Sequence, residues 1–385
     1  MQEKSINTVP NNLTSYIRLI LTENIGPVSF YKFLEKYGSA EEALKALSLK
    51  KDVCPLSRAE AEIKNAQKAG IEILSFDDPR YPLSLKELND APPILYAKGN
   101  LDLLSYPASI AVVGSRNASI QGRKIASRIA YDLTNADVLI VSGLARGIDS
   151  AAHKGAMYAK SEHGPTIAVL GTGVDVCYPK ENQELYNKVA SQGLLLSEFA
   201  LGSEANISNF PRRNRIVSAL SMGVLVVEAS LNSGSLITAR LALEQGKDVF
   251  AVPGSPIENK SAGCNKLIKE GALLTESADD ILQTLALTQN RTLKTFQNAS
   301  TKAKPLDNSK KEDNITEQKK SDIKNVEILE IIGTSGIETD ELIRHLKADA
   351  SDVLILITEL ELEGLVSKTN GSFLNLTKQG LRAIK

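Results

Sequence analysis

The chain has 385 residues, 42% hydrophobic and 24% charged, with a formal net charge of −1. That length suits two or three domains around a sizeable core, and the near-neutral balance excludes a global basic field, so any nucleic-acid site must come from local clusters of Arg and Lys. The three cysteines, Cys54, Cys177 and Cys264, are far apart with no C-x-x-C, which argues against disulfides and structural zinc and points to a reducing cytoplasm.

Residues 1–14 are polar and lack the apolar core of a signal peptide. Apolar residues then recur at helical spacing over Leu13–Thr22, Pro27–Tyr37, Glu41–Leu49 and Arg58–Ala69. The first two helices meet at Asn24-Ile25-Gly26-Pro27, a tight turn with Pro opening the next helix. A helix-hairpin-helix whose amides hold a DNA phosphate and a plain helical hairpin both fit residues 1–70.

From 71 to 287 the rhythm changes. Short β-branched runs appear at Ser109–Val113, Val138–Val141, Thr166–Leu170, Leu194–Ser197, Val224–Val227 and Asp248–Val252. Helical stretches intervene at Gly122–Leu133, Asp149–Ala159, Glu181–Ala190, Asn209–Ser221 and Ser235–Gln245. This alternation predicts an α/β domain with a parallel, doubly wound sheet, buried on both faces. None of these runs is long enough to span a bilayer. Residues 288–322 are polar and lysine-rich and read as a flexible linker. Residues 323–385 predict three helices, Val326–Ile332, Asp340–Leu346 and Asp352–Glu363, then a hairpin around Asn370-Gly371. That order is a winged helix. Its third helix carries Glu359, Glu361 and Glu363 on the exposed side and no Arg or Lys, which favours a partner-binding or regulatory role over docking in a duplex groove.

In an open parallel sheet, ligands bind beyond the carboxyl ends of the strands. The segments expected there are Gly114-Ser115-Arg116-Asn117, Ser142 to Asp149 with Arg146, Gly171-Thr172-Gly173-Val174-Asp175, Phe210-Pro211-Arg212-Arg213-Asn214-Arg215 and Ser233-Gly234-Ser235. Glycine lets backbone amides approach an anion, helix N-termini favour it, and arginine offers a fork of donors. Together they predict a phosphate-binding rim. Pro211 is expected just ahead of its helix, which puts the arginines in the first turn. Positive charge there costs about 0.3–1 kcal/mol per group unless an anion offsets it. One arginine is expected to pair inside the fold with Glu198 or Glu228, and another to meet phosphate.

Other chemistry finds little support. The first strand–helix turn has no G-x-G-x-x-G, and no H-E-x-x-H, G-x-S-x-G or P-loop occurs. No cofactor, metal site or catalytic group is expected. His153 is expected to pack or cap within its helix, Asp149 to cap its helix, and Glu228 to pair with an arginine.

These loops, in this order, resemble the DNA-processing protein A (DprA/Smf) family. The matching residues are Val113 to Arg116, Ser142 to Asp149, Gly171 to Asp175 with Tyr178-Pro179, Ser197-Glu198, Phe210 to Arg215, Ser233 to Ser235 with Thr238-Ala239, and Val252-Pro253-Gly254. Two positions depart from the family pattern: Gln121 stands where an aromatic residue is usual, and residues 200–206 lack the usual prolines. The resemblance implies an extended Rossmann-type fold, usually a homodimer, that binds single-stranded DNA and loads RecA recombinase onto it during natural transformation. Gly114, Ser115 and Arg116 would hold one phosphate, Arg212, Arg213 and Arg215 would supply further cations, and Phe210 would offer a ring to a base. The alternative is a nucleoside-monophosphate phosphoribohydrolase on the same sheet type, but the paired glycines and glutamate of those enzymes are absent at Ser233 to Thr238.

Overall fold

The computed structural model describes residues 12–159 and 165–286, and segments within 325–377. It divides into two compact units, residues 1–303 and 304–385. The first opens with α1 (Leu13–Ile20), α2 (Pro27–Tyr37), α3 (Ala40–Ser48) and α4 (Leu56–Lys68). Gly26 precedes Pro27 at the start of α2, and the Ser39 side chain caps α3 by accepting from Glu42 N.

The sheet follows. Its elements are β1 (Glu72–Ser75), the short α5 (Leu83–Lys86), β2 (Ile94–Gly99), β3 (Ser109–Val113), α6 (Ile120–Asn135), β4 (Leu139–Ser142), α7 (Ile148–Tyr158), β5 (Thr166–Val169), α8 (Gln183–Gln192), β6 (Leu194–Ser197), α9 (Asn209–Ala219), β7 (Gly223–Val226), α10 (Ser235–Glu244), β8 (Asp248–Ala251), α11 (Ala262–Lys269) and β9 (Leu273–Leu274). Strand order is β1-β2-β6-β5-β4-β3-β7-β8-β9. From β6 to β9 every pair is parallel; β1–β2 and β2–β6 are antiparallel.

The parallel strands are buried on both faces, as their unbroken apolar runs require. On one face Ile110, Val112, Ile140, Leu225 and Phe250 pack with Ala126, Ile129 and Leu133 of α6 and Ala152 and Ala156 of α7. On the other, Ala111, Val113, Val141, Val169, Leu196 and Val226 pack with Ile216 of α9 and Ala239 and Ala242 of α10. The N-terminal helices share a core with the sheet: Ile17, Leu19 and Phe30 join Ile94, Tyr96, Leu170 and Leu195. Tyr16 Oη donates to Asp77 Oδ2 at 2.6 Å, and Leu201 N donates to Glu62 Oε1 at 2.8 Å. No helix among the described residues is long and apolar enough to cross a membrane.

The C-terminal unit contains helices Asn325–Ile332 and Thr339–Leu346 and a sheet of β10 (Ile337–Glu338), β12 (Phe373–Leu376) and β11 (Val366–Thr369). Val353, Ile357 and Leu360 complete its core with Ile328, Ile332 and Leu342. The linker expected at 288–322, and Glu359 and Glu363 of the third helix, lie outside the described residues.

β1, β2, β9 and β10 lie outside the strands that the sequence pattern predicts. β2 and β1 form an antiparallel pair with no long helix between them, so the strand–helix rhythm did not announce them. β9 is only two residues long. Two helix starts also shift. Pro211 is the third residue of α9, not the residue ahead of it, and α6 begins at Ile120, capped by Ser119.

Candidate nucleic-acid interface

The strand order turns at β3, whose neighbours are β4 and β7. Chain segments leaving β3 and β7 diverge there, which leaves a crevice at the topological switch point. It encloses about 410 Å³ and is walled by Gly114, Ser115, Arg116, Asn117, Asp149, Phe210, Asn214, Ser233, Gly234 and Ser235, among others. Helices α6, α9 and α10 all begin around it, so the positive ends of three helix dipoles lie near the space.

Hydrogen bonds fix the first turn. Ser115 N donates to Glu228 O at 2.7 Å, and Asn117 N donates to Ser115 Oγ at 3.2 Å. The Glu228 carboxylate accepts from Ser119 N at 3.0 Å and from Ser119 Oγ at 2.5 Å, while Ser119 Oγ accepts from Gly122 N at 2.9 Å. Glu228 therefore anchors the cap of α6, and among the described residues it has no arginine partner of the kind expected. The carboxylate saturates a cap that otherwise needs only a hydroxyl. Across the crevice Ser233 Oγ lies 2.8 Å from Ser235 Oγ at the start of α10.

The arginine cluster splits into three fates. Arg213 points into the fold and is 4% exposed. Its Nη1 donates to Gly143 O at 2.5 Å and also to Val169 O. A Cβ at position 143 would sit 2.1 Å from that nitrogen, so only glycine admits the guanidinium there. Burial lowers the pKa of Arg213 to about 10, with Asp149 opposing the shift. Arg215 is also buried; its Nη2 donates to Glu198 Oε2 at 2.6 Å, and its Nε lies 3.1 Å from Asp90 Oδ2. The internal pairing with Glu198 is thus met by Arg215, and both Arg213 and Arg215, expected among the DNA-facing cations, are buried in this structure. Their side chains leave α9 toward the sheet. Arg212 alone of the three is half exposed, 3.5 Å from Glu198 Oε2 and 5.1 Å over the Phe199 ring.

Asp149 does not cap its helix. Its carboxylate accepts from Gly143 N at 3.2 Å and Ala145 N at 3.4 Å, which ties down the turn after β4. Burial pushes its carboxyl up, against the pull of Arg213. His153 is fully buried, with Nδ1 2.8 Å from Thr166 Oγ1. Thr166 already donates its one proton to Ile140 O. The imidazole must then donate from Nδ1, leaving Nε2 bare and without a partner among the described residues. This is the packing role expected.

Arg116 stands exposed at the mouth, its guanidinium 4.5 Å over the centroid of the Phe210 ring. Tyr178 lies 5.6 Å beyond that ring, tilted by 37°. Gly171 makes room for the stack, since a Cβ there would meet Phe210 at 2.9 Å. Arg116 and Phe210 also line a second hollow of about 390 Å³ with Arg146, Tyr178, Lys180 and Glu181. Arg146 lies 3.6 Å from Glu181 in an exposed ion pair. Asn117 belongs to the rim segment expected after β3, whereas the sequence pattern assigns no role to Tyr178 or Lys180. Tyr178-Pro179 stood in the family pattern, but nothing in the chain order shows that Tyr178 reaches Phe210.

The sheet and its switch-point crevice define a Rossmann-type α/β protein with its ligand-facing groups gathered at one edge. Residues 72–286 match the family described as DNA recombination-mediator protein A, residues 11–65 the DprA-like N-terminal HHH domain, and residues 317–372 the DprA winged helix domain. The chain belongs to the DNA recombination-mediator protein A family. It is 50% identical over 205 residues to the DNA processing protein DprA of Streptococcus pneumoniae, covering 53% of this chain and 71% of that one. It is 42% identical over 219 residues to the protein of the same description from Bacillus subtilis, covering 57% and 73%. The solved S. pneumoniae structure superposes with a TM-score of 0.57 at 38% identity over 71% of this chain and 93% of that one. DNA processing protein A from Helicobacter pylori, solved to describe its single-stranded DNA binding mode, superposes with a TM-score of 0.51 at 30% identity over 57% and 96%.

Proposed function

We propose that this chain binds single-stranded DNA along the rim and acts as a recombination mediator that loads RecA recombinase onto it during DNA uptake. It works as a homodimer in the cytoplasm, with no catalytic step of its own. The observation that carries the reading is the Arg116–Phe210–Tyr178 stack between two hollows. It sets a cation and two rings beside amide-rich turns, and single-strand sites combine such stacking platforms with backbone-tracking cations. Gly114, Ser115, Ser233, Gly234, Ser235 and Asn214 supply small donors along the strand. Arg116, Arg146 and Arg212 supply charge. Arg213 and Arg215 hold α9 in place from beneath.

Phosphate contacts position a strand without reading its sequence, so base preference is slight. The homodimer contact is assigned to residues 245–285, where, among the described residues, β9 ends the sheet with Leu273 and Leu274 exposed. A free strand edge with apolar side chains is a natural self-association surface. The H. pylori relative supports the DNA reading by its described single-strand binding.

The test is binding of fluorescent single-stranded and duplex oligonucleotides across a salt series, for wild type and Arg116→Ala. Preferential single-strand binding is expected, with log K falling against log salt by about 0.7 per phosphate contacted. Arg116→Ala should lose affinity and part of that slope. Equal binding of both forms, or an unchanged slope in the variant, refutes the rim as a single-strand site. RecA loading is tested by filament assembly on strands coated with single-strand-binding protein, with and without this chain.

A further inference from the structure

The outer face of the α6–α7 pair carries a second feature. One stripe of α6 is formed by Ile120, Arg123, Lys124, Ser127, Arg128 and Tyr131, which line a trough of about 470 Å³ with Gly155 and Tyr158 of α7. This is the spacing of a single helix face. The opposite face of α6 is the apolar one: Ala126, Ile129, Ala130 and Leu133 are buried against the sheet. The trough is therefore not a gap in the core. Its floor is tight, because a Cβ on Gly155 would meet Ser127 O at 2.1 Å. Its walls are cations and exposed apolar groups: Ile120 is 65%, Tyr158 78% and Tyr131 37% exposed. The acid paired on this face, Asp132, lies 2.7 Å from Arg128, an exposed i,i+4 bridge that is easily exchanged for another anion.

The trough starts one turn of chain from the crevice: Asn117 lines the crevice and Ile120 the trough. Arg123 Nη1 donates to Ala118 O at 2.6 Å, and Ala118 follows Asn117, which lines the crevice wall. From Ile120 to Tyr131 the stripe runs about 16 Å down α6. Cations at helical intervals with rings at both sides fit a phosphodiester strand with unstacked bases.

We propose that single-stranded DNA leaving the switch-point crevice continues along the α6–α7 trough, with Arg123, Lys124 and Arg128 on its phosphates and Tyr131 and Tyr158 against its bases. This rests on the reading of the crevice as a single-strand site. It adds a second segment to that site, engaged only by strands long enough to pass Asn117.

The test compares oligothymidylates of about 6 and about 20 nucleotides on the full chain, for wild type, Lys124→Ala/Arg128→Ala, Tyr131→Ala/Tyr158→Ala and Arg116→Ala. All the trough substitutions lie on exposed positions, and thermal melts check that the fold is kept. The expected result is that both trough variants bind the short strand as wild type does but lose about tenfold in affinity for the long one. The charge variant should also lose about 1.4 from the salt slope, at 0.7 per phosphate. Unchanged binding of the long strand by both variants overturns the trough and leaves the crevice standing. Loss of short-strand binding in Arg116→Ala alone marks the crevice. Failure of wild type to bind either strand overturns both. An oligoglutamate peptide is run in parallel; if the variants lose that peptide and not the long strand, the trough serves a protein and the proposal falls.

Discussion

Arg116 lies over the Phe210 ring, its guanidinium carbon 4.5 Å from the centroid, and both side chains line the crevice. A guanidinium over a ring adds about 0.5–1 kcal/mol at an exposed site, so the pair is preformed but not locked. Phe210→Ala should weaken single-strand binding by about 1–3 kcal/mol, the worth of one stacked base, while leaving the salt slope nearly unchanged. Arg116→Ala should do the reverse in slope. Titration at two salt concentrations separates them.

Arg213 and Arg212 are neighbours with opposite exposure. Arg213→Leu leaves Asp149 buried without its opposing charge and strips donors from Gly143 O and Val169 O. Leaving a buried acceptor without its donor costs about 1–3 kcal/mol, and two are stripped here. Urea unfolding should show that loss for Arg213→Leu and a change under about 1 kcal/mol for Arg212→Ala. A stable, well-folded Arg213→Leu that merely loses DNA binding would contradict the supporting role.

His153 sets an acid limit. Burial lowers its pKa to about 3, against about 6.5 in an unfolded chain. Above pH 6.5 the ring is neutral in both states and costs nothing. As pH falls from 6.5 toward 3, the unfolded chain takes up a proton that the folded one refuses. Stability then drops by up to about 1.4 kcal/mol per pH unit from this group. The difference in unfolding free energy between wild type and His153→Gln should be flat above pH 7 and close steadily below 6. A difference that does not vary with pH refutes the buried neutral ring.

Ser119 and Glu228 act as one device at the start of α6. Ser119→Ala removes a cap worth about 1 kcal/mol, and Glu228→Ala removes the group that orients it. A double-mutant cycle by thermal unfolding should give a coupling of about 0.5–3 kcal/mol. Additive losses would mean that Glu228 does not steer the cap.

Much of the architecture was legible in the chain. Strands β3 and β6 match their apolar runs residue for residue, and α2 matches its periodicity. Buried parallel strands advertise themselves because both faces are apolar, and Gly- and Ser-rich segments sit where the sheet edge needs them. What did not show was direction. Arg212, Arg213 and Arg215 fall within four letters of one another, but on α9 the latter two turn toward the sheet and Arg212 turns toward solvent. That choice depends on which face of α9 meets β5 and α10, a tertiary fact. Glu228 was misread for the same reason: its true partner, Ser119, belongs to a different strand–helix unit.

The pairing of Ile110 with Gly223 brings the two walls of the crevice together from distant parts of the chain. Closing so long a loop is entropically slow, and sheets of this kind fold late and through high contact order. The rim therefore comes into being only once β7 has docked beside β3. A nascent chain stopped before β7 would carry Arg116 and its turn without the Ser233–Ser235 wall. DNA affinity should thus appear abruptly during synthesis, as the final strands of the sheet emerge, and not grow in step with chain length.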